Sequence, residues 1–109
     1  MGAVMAEVNE MVDLDAAEAG LLEALTRDDL FRLGLICSTD VSDEKGERPA
    51  DYVAAHKWFN LAAMLGSVPA KAYRDEIAFE LQSDEVTRAQ RDAREWLRGN
   101  RAILQKEAA

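Results

Sequence analysis

His56, the chain's single histidine among 109 residues, is the first candidate for chemistry. An imidazole that titrates near neutrality can act as a general base, provided a nucleophile or acid stands within hydrogen-bond reach. On a helix that partner would sit three or four residues away, where only Tyr52 and Asn60 are offered. Neither completes a set of nucleophile, base and orienting group, so His56 reads as solvent-exposed, on a polar helix face with Lys57, Asn60 and Met64. Cys37, the only cysteine, has no neighbouring cation to make it a reactive thiolate. Its place four residues after Leu33 reads as a small buried apolar side chain. One Cys and one His cannot build the usual zinc ligand sets, and no calcium loop is recognisable, so neither metal nor cofactor is expected. The 21 acidic residues show no spacing typical of a paired acid and base. Arg88, Arg91, Arg94 and Arg98 are interleaved with Asp92 and Glu95. Pairs of Arg88 with Asp92 and Arg91 with Glu95, at i, i+4, predict a solvated, self-paired face. No reaction is assigned, and the expectation is a protein that is not an enzyme.

Charge narrows the partners. The formal net charge is −8, and residues 1–30 hold eight acids against the single Arg27. Phosphate recognition needs a basic surface, so nucleic acid is excluded; the acidic segment reads as a solvated helix or an arm for a basic partner. A single cysteine precludes an internal disulfide and fits a reducing compartment. The opening "MGAVMAEVNEMV" lacks the basic region of a secretory signal. No stretch approaches the roughly 20 apolar residues of a membrane span, so no membrane insertion is expected. The expected location is cytoplasmic, or periplasmic if a leader has been removed.

The elements that must carry these residues are helical. Helical spacing recurs almost throughout, and no window alternates as a strand does, which predicts an all-α chain of about five helices. Leu14, Ala17, Leu21 and Leu25 form the stripe of a first helix, opened by the capping pattern of Asp15 with Glu18 and weakened by Gly20. Thr26 with Asp29 caps a second, running through Leu30, Leu33, Gly34 and Cys37 to about Ser38 or Thr39. A polar loop, "TDVSDEKGERPA", follows. Asp51 caps a third helix, which Gly66 ends. Ser67 caps a fourth, with Pro69 harmless in its first turn, reaching about Leu81. Ser83 caps a fifth, with Asp84 and Glu85 at its positive end, and Gly99 closes it. The tail "NRAILQKEAA" either docks through Ile103 and Leu104 or frays. In the third helix Ala54, Trp58, Leu61 and Leu65 form a stripe, flanked by Ala55, Phe59 and Ala62. Its alanines permit close helix approach, which points to core packing and not to a ligand box.

An offset of 33 residues superposes Asp51 on Asp84, Val53 on Val86 and Gly66 on Gly99. An offset of 42 superposes Leu30, Phe31 and Arg32 on Ala72, Tyr73 and Arg74. The two periods are those of one helix pair used twice, with the first copy carrying a longer loop over 40–50, a pattern of stacked helix pairs. "LFRLGLI" followed by "DYVAAHKWFNLAAMLGSVPA" resembles the Sel1-like repeat, a relative of the tetratricopeptide repeat. "AYRDEIAFELQSDEVTRAQRDAREWL" is similar to the divergent terminal unit of bacterial members. The resemblance implies an α-α superhelix with a first unit over 26–66 and a second over 67–99; outside it lie 1–25, expected as an acidic capping helix, and a tail over 100–109. Cys37 stands where the family usually has an aromatic, and the loop is longer and more charged than usual. The family implies binding as an adaptor or scaffold, without catalytic residues. The first helix of each unit would line a groove through Asp28, Phe31, Leu35 and Ser38, then Ala70, Tyr73, Ile77 and Glu80. Phe31, Leu35, Tyr73 and Ile77 are more apolar than a solvated groove requires. Their expected cover is the helix over 14–25, or else a protein or peptide partner, or a second copy in a homodimer.

Overall fold

The computed structural model describes residues 12–44 and 46–105. Residues 1–11 of the acidic segment and 106–109 of the tail lie outside the described residues. Five helices follow in order: α1 Leu14–Ala19, α2 Arg27–Cys37, α3 Tyr52–Met64, α4 Val68–Ala78 and α5 Ser83–Asn100. The chain is mostly helical, as its periodicity predicts. Four short strands are added: β1 Leu25–Thr26, β2 Val41–Asp43, β3 Gly46–Arg48 and β4 Leu104–Gln105. β2 and β3 pair antiparallel, so the polar loop is partly a hairpin, and β1 pairs in parallel with β4. Segments of two or three residues are too short to show alternation in the sequence.

The caps explain most boundaries. At α2 the Thr26 hydroxyl accepts from the Asp29 N–H (3.1 Å) and the Asp29 carboxylate accepts from the Thr26 N–H (2.9 Å), the reciprocal box the sequence predicts. Asp51 accepts from the Ala54 N–H (3.0 Å), and Ser67 from the Ala70 N–H (3.2 Å) with Pro69 in the first turn. α3 ends in a Schellman turn: Gly66 has φ of 104°, its N–H donates to Ala63 O and the Ser67 N–H to Ala62 O, both at 3.0 Å.

Other ends differ from expectation. Asp13, not Asp15, caps α1, and Gly20 with φ of 73° stops it at Ala19 by the same kind of turn. The stripe through Leu21 and Leu25 therefore never forms: Leu21 is exposed, and Leu25 is buried within β1. Gln82, not Ser83, precedes α5, its N–H donating to the Glu85 carboxylate at 2.8 Å. Gly99 lies inside α5 and does not close it. The matching caps of the 33-residue offset are thus absent: α3 has 13 residues and α5 has 18, and Asp84 is not a cap.

Packing is organised around α3, which lies against α2, α4 and α5; α4 and α5 do not repeat the close packing of α2 on α3. Surrounded on several sides, α3 buries Ala55 to Phe59 without interruption, then Leu61 and Ala62. This corrects the exposed placement of His56, which is only 3% exposed, and of Lys57, which is buried beside it. The polar face predicted from periodicity is covered at His56 and Lys57 but not along its whole length, since Asn60 is half-buried and Met64 exposed. Phe59 meets α2 at Gly34, where an added Cβ would lie 2.4 Å from the ring. Trp58 packs edge-on against Trp96 of α5, centroids 5.2 Å apart.

α1 is held by that same centre. Trp96 Nε1 donates to Ala17 O at 3.0 Å, while Lys57 pairs with Glu18 and lies 4.5 Å above the Trp58 ring. These contacts seat α1 on α3 and α5, and none involves Phe31 or Tyr73. The expected covering of those residues by the helix over 14–25 is therefore not what α1 does. The tail takes the docked alternative, with Ile103 and Leu104 packed on the core and Leu104 paired with Leu25.

Candidate functional site

The residues expected to line a groove divide into three sets. Ala70 is fully buried at the start of α4 and belongs to the core. Phe31 and Leu35 are half-buried against that core, and Asp28 stands exposed in the first turn of α2. Ser38, Tyr73, Ile77 and Glu80 come together around a surface depression of about 340 Å³ between the ends of α2 and α4. Asp28, Phe31 and Leu35 do not line this depression.

An aromatic cluster sets this limit. Phe31 and Tyr73 meet edge to face with centroids 5.4 Å apart, and Phe59 lies 5.7 Å from the first and 5.4 Å from the second. Gly34 lets Phe59 reach up between them, so the middle of the trough between α2 and α4 is filled by the protein's own rings. Phe31 is part of the floor, and the accessible surface begins at Tyr73.

Two further residues complete the depression, Tyr52 and Glu76. The Asp51 N–H donates to Cys37 O at 2.7 Å, tying the start of α3 to the end of α2 and bringing Tyr52 beside Ser38. Glu76 lies three residues after Tyr73, on the same helix face as Ile77 and Glu80, a signal that helical spacing does carry. Tyr52 carries no such signal, because its place depends on the fold of the loop before it.

Tyr52 and Glu80 also border a larger cavity of about 700 Å³, with Leu14, Val53, Ala54 and Leu81 among its apolar walls and Arg48 and Arg88 among its charged ones. Cys37 lines it but is buried, and burial, seconded by the Asp51 carboxylate and opposed by Lys57, pushes the thiol up to about 11. It is therefore protonated at neutral pH and a poor nucleophile, as its reading as a buried apolar residue implies. Burial, then Arg74, lowers the pKa of His56, and its Nδ1 is buried without a hydrogen-bond partner. Among the described residues no group of three His, Cys, Asp or Glu is placed to hold a metal ion, and no helix is long and apolar enough to cross a membrane. The predicted arginine pairs of α5 do not form among the described residues; Arg91 lies instead 3.7 Å from Asp92.

No protein-family profile matches this chain, and neither a curated protein nor a solved structure matches it. The geometry therefore carries the functional argument by itself.

Proposed function

We propose that this chain is a non-catalytic protein–protein interaction module, an adaptor whose depression between α2, α3 and α4 receives a protein or peptide. The observation that carries the reading is the exposure of Tyr52 and Tyr73, 40% and 42%, on either side of Ile77 in one concave surface. Large amphipathic rings at an accessible depression suit partner contact, since each supplies contact area at little conformational cost. The burial of Cys37 and His56 supports a role without chemistry. Within the proposal, α2 with α3 and α4 with α5 are two units of a Sel1-like, tetratricopeptide-like stack, the second divergent.

Crosslinking through a photoreactive residue at position 80, followed by recovery of the tagged chain, tests this reading. Capture of a partner that the unlabelled chain displaces, and that is lost when Tyr52→Ala or Tyr73→Ala is added, supports it; capture that is equal with and without those substitutions removes it. A second reading is a structural protein that self-associates through the same surface; Phe79, outside the depression but 89% exposed immediately after α4, is a large apolar side chain left for such a contact. Light scattering over a concentration series separates the two, because a strict monomer excludes the second.

A further inference from the structure

We infer that the depression between Tyr52 and Tyr73 accepts the cationic side chain, Arg or Lys, of a basic peptide segment; this rests on the peptide-binding reading above. Apolar and acidic chemistry stand side by side there. Ile77 and the two tyrosines make the apolar part, and Glu76 and Glu80 the acidic part. No Lys or Arg lines the depression, and among the described residues neither glutamate is in an ion pair. Arg74, adjacent to Tyr73 in sequence, is engaged elsewhere, by Asn60 Oδ1 at 3.0 Å and the Asp75 carboxylate at 3.1 Å.

The backbone adds the same sign. α2 ends at Cys37 with Ser38 in the wall, and α4 ends at Ala78 between Ile77 and Glu80, so the negative ends of two helices lie at the depression. The positive end of α3, which starts at Tyr52, is already met by the Asp51 carboxylate. A guanidinium or ammonium placed there would lie beside two tyrosine side chains and two carboxylates. An acidic side chain would meet only repulsion. Tyr52 and Glu80 also border the larger cavity, where Leu14 and Leu81 offer contact to apolar neighbours of the cation and where Arg48 and Arg88 stand against four carboxylates, Asp15, Glu18, Asp51 and Glu85, besides Glu80. The net charge of −8 draws a basic partner toward the chain from a distance.

The test uses two synthetic peptides of equal length, one with a central Arg flanked by Leu and the other with Glu in place of that Arg. Each is titrated into the isotope-labelled chain and followed by amide chemical shifts. The Arg peptide is expected to move the amides around Ser38, Tyr52 and Tyr73 to Glu80, and to bind the E76Q/E80Q chain about tenfold more weakly. Both glutamates are exposed or at a helix end, and unchanged shifts elsewhere confirm that the double variant is folded. Equal binding of the two peptides, or full affinity of the Arg peptide for E76Q/E80Q, overturns the assignment. If both peptides bind equally and Tyr73→Ala abolishes both, the groove reading stands while the preference for a cation falls. If neither moves these amides, the cationic assignment is overturned and the crosslinking at position 80 decides the groove separately.

Discussion

Gly34 shows why a single missing side chain matters. The Phe59 ring occupies the space that a Cβ at position 34 would need, with two ring carbons 2.4 Å from it. An aromatic ring cannot deform, so Gly34→Ala must displace Phe59 and, through it, Phe31 and Tyr73. Overpacking of this kind costs about 1–3 kcal/mol, read as a lower urea midpoint at unchanged slope. The Leu-Gly pair is legible in the sequence; the reason for it, a ring reaching from the next helix, is not. His56 makes the opposite point. Spacing identified its helix face, but how many neighbours that helix has decides whether the face is wet. Its folded pKa lies below the ordinary 6.5 because of burial and then Arg74, with Asp75 opposing. Stability from the neutral imidazole is therefore fully present above about 6.5 and is lost as pH falls toward the folded value, since the unfolded chain takes up the proton first. Wild type is expected to lose more stability than His56→Gln between pH 7 and pH 5.5, the carboxylates being common to both. Equal losses in paired urea titrations would exclude this linkage.

At the scale of elements, α1 is the most dependent piece. A helix of six residues does not persist in water by itself, so its order comes from what it touches. Those contacts are the Trp96 indole donating to Ala17 O, the Lys57 pair with Glu18, and Gly20 seated on Asn100. Glu18 is half-exposed, which leaves the ion pair screened and weak, so the buried indole bond is the stronger tether. Trp96→Phe keeps most of the ring and removes the donor, at a cost of about 1 kcal/mol. Its signature is local: amide exchange should quicken at Gly20 and Leu21, whose N–H groups close α1, and stay unchanged within α2. Equal acceleration in both helices would mean that α1 is not separately tethered. α1 was also the element least legible in the sequence. Leu21 and Leu25 continue a helical stripe past Gly20, and a glycine there reads equally as a weak spot or as a stop. By contrast the Thr26 box, Asp51, Ser67 and Gly66 could be read directly, because each acts through hydrogen bonds to residues within five positions.

For the whole molecule the packing converges on one helix, α3. In a solenoid each unit touches only its neighbours, and units can unfold in turn. Here α3 packs against α2, α4 and α5 and meets α1 through the Lys57–Glu18 pair, while Trp96, edge-on to Trp58, joins α5 to α3 and to α1. None of this is visible in periodicity, which describes one helix at a time, nor is the β1–β4 pairing that joins Leu25 to Leu104. Such a hub implies one cooperative unit. The urea transitions followed by tryptophan fluorescence, which senses α3 and α5, and by helical circular dichroism, which senses every helix, should coincide. Trp58 is fully buried at that hub. Trp58→Ala is expected to cost about 3–5 kcal/mol, a large part of the stability of a domain of this size, and to lower both transitions together. A fluorescence transition that moves while a second helical transition remains behind would show that part of the helical structure folds independently of the Trp58–Trp96 centre, and a single cooperative unit would be excluded.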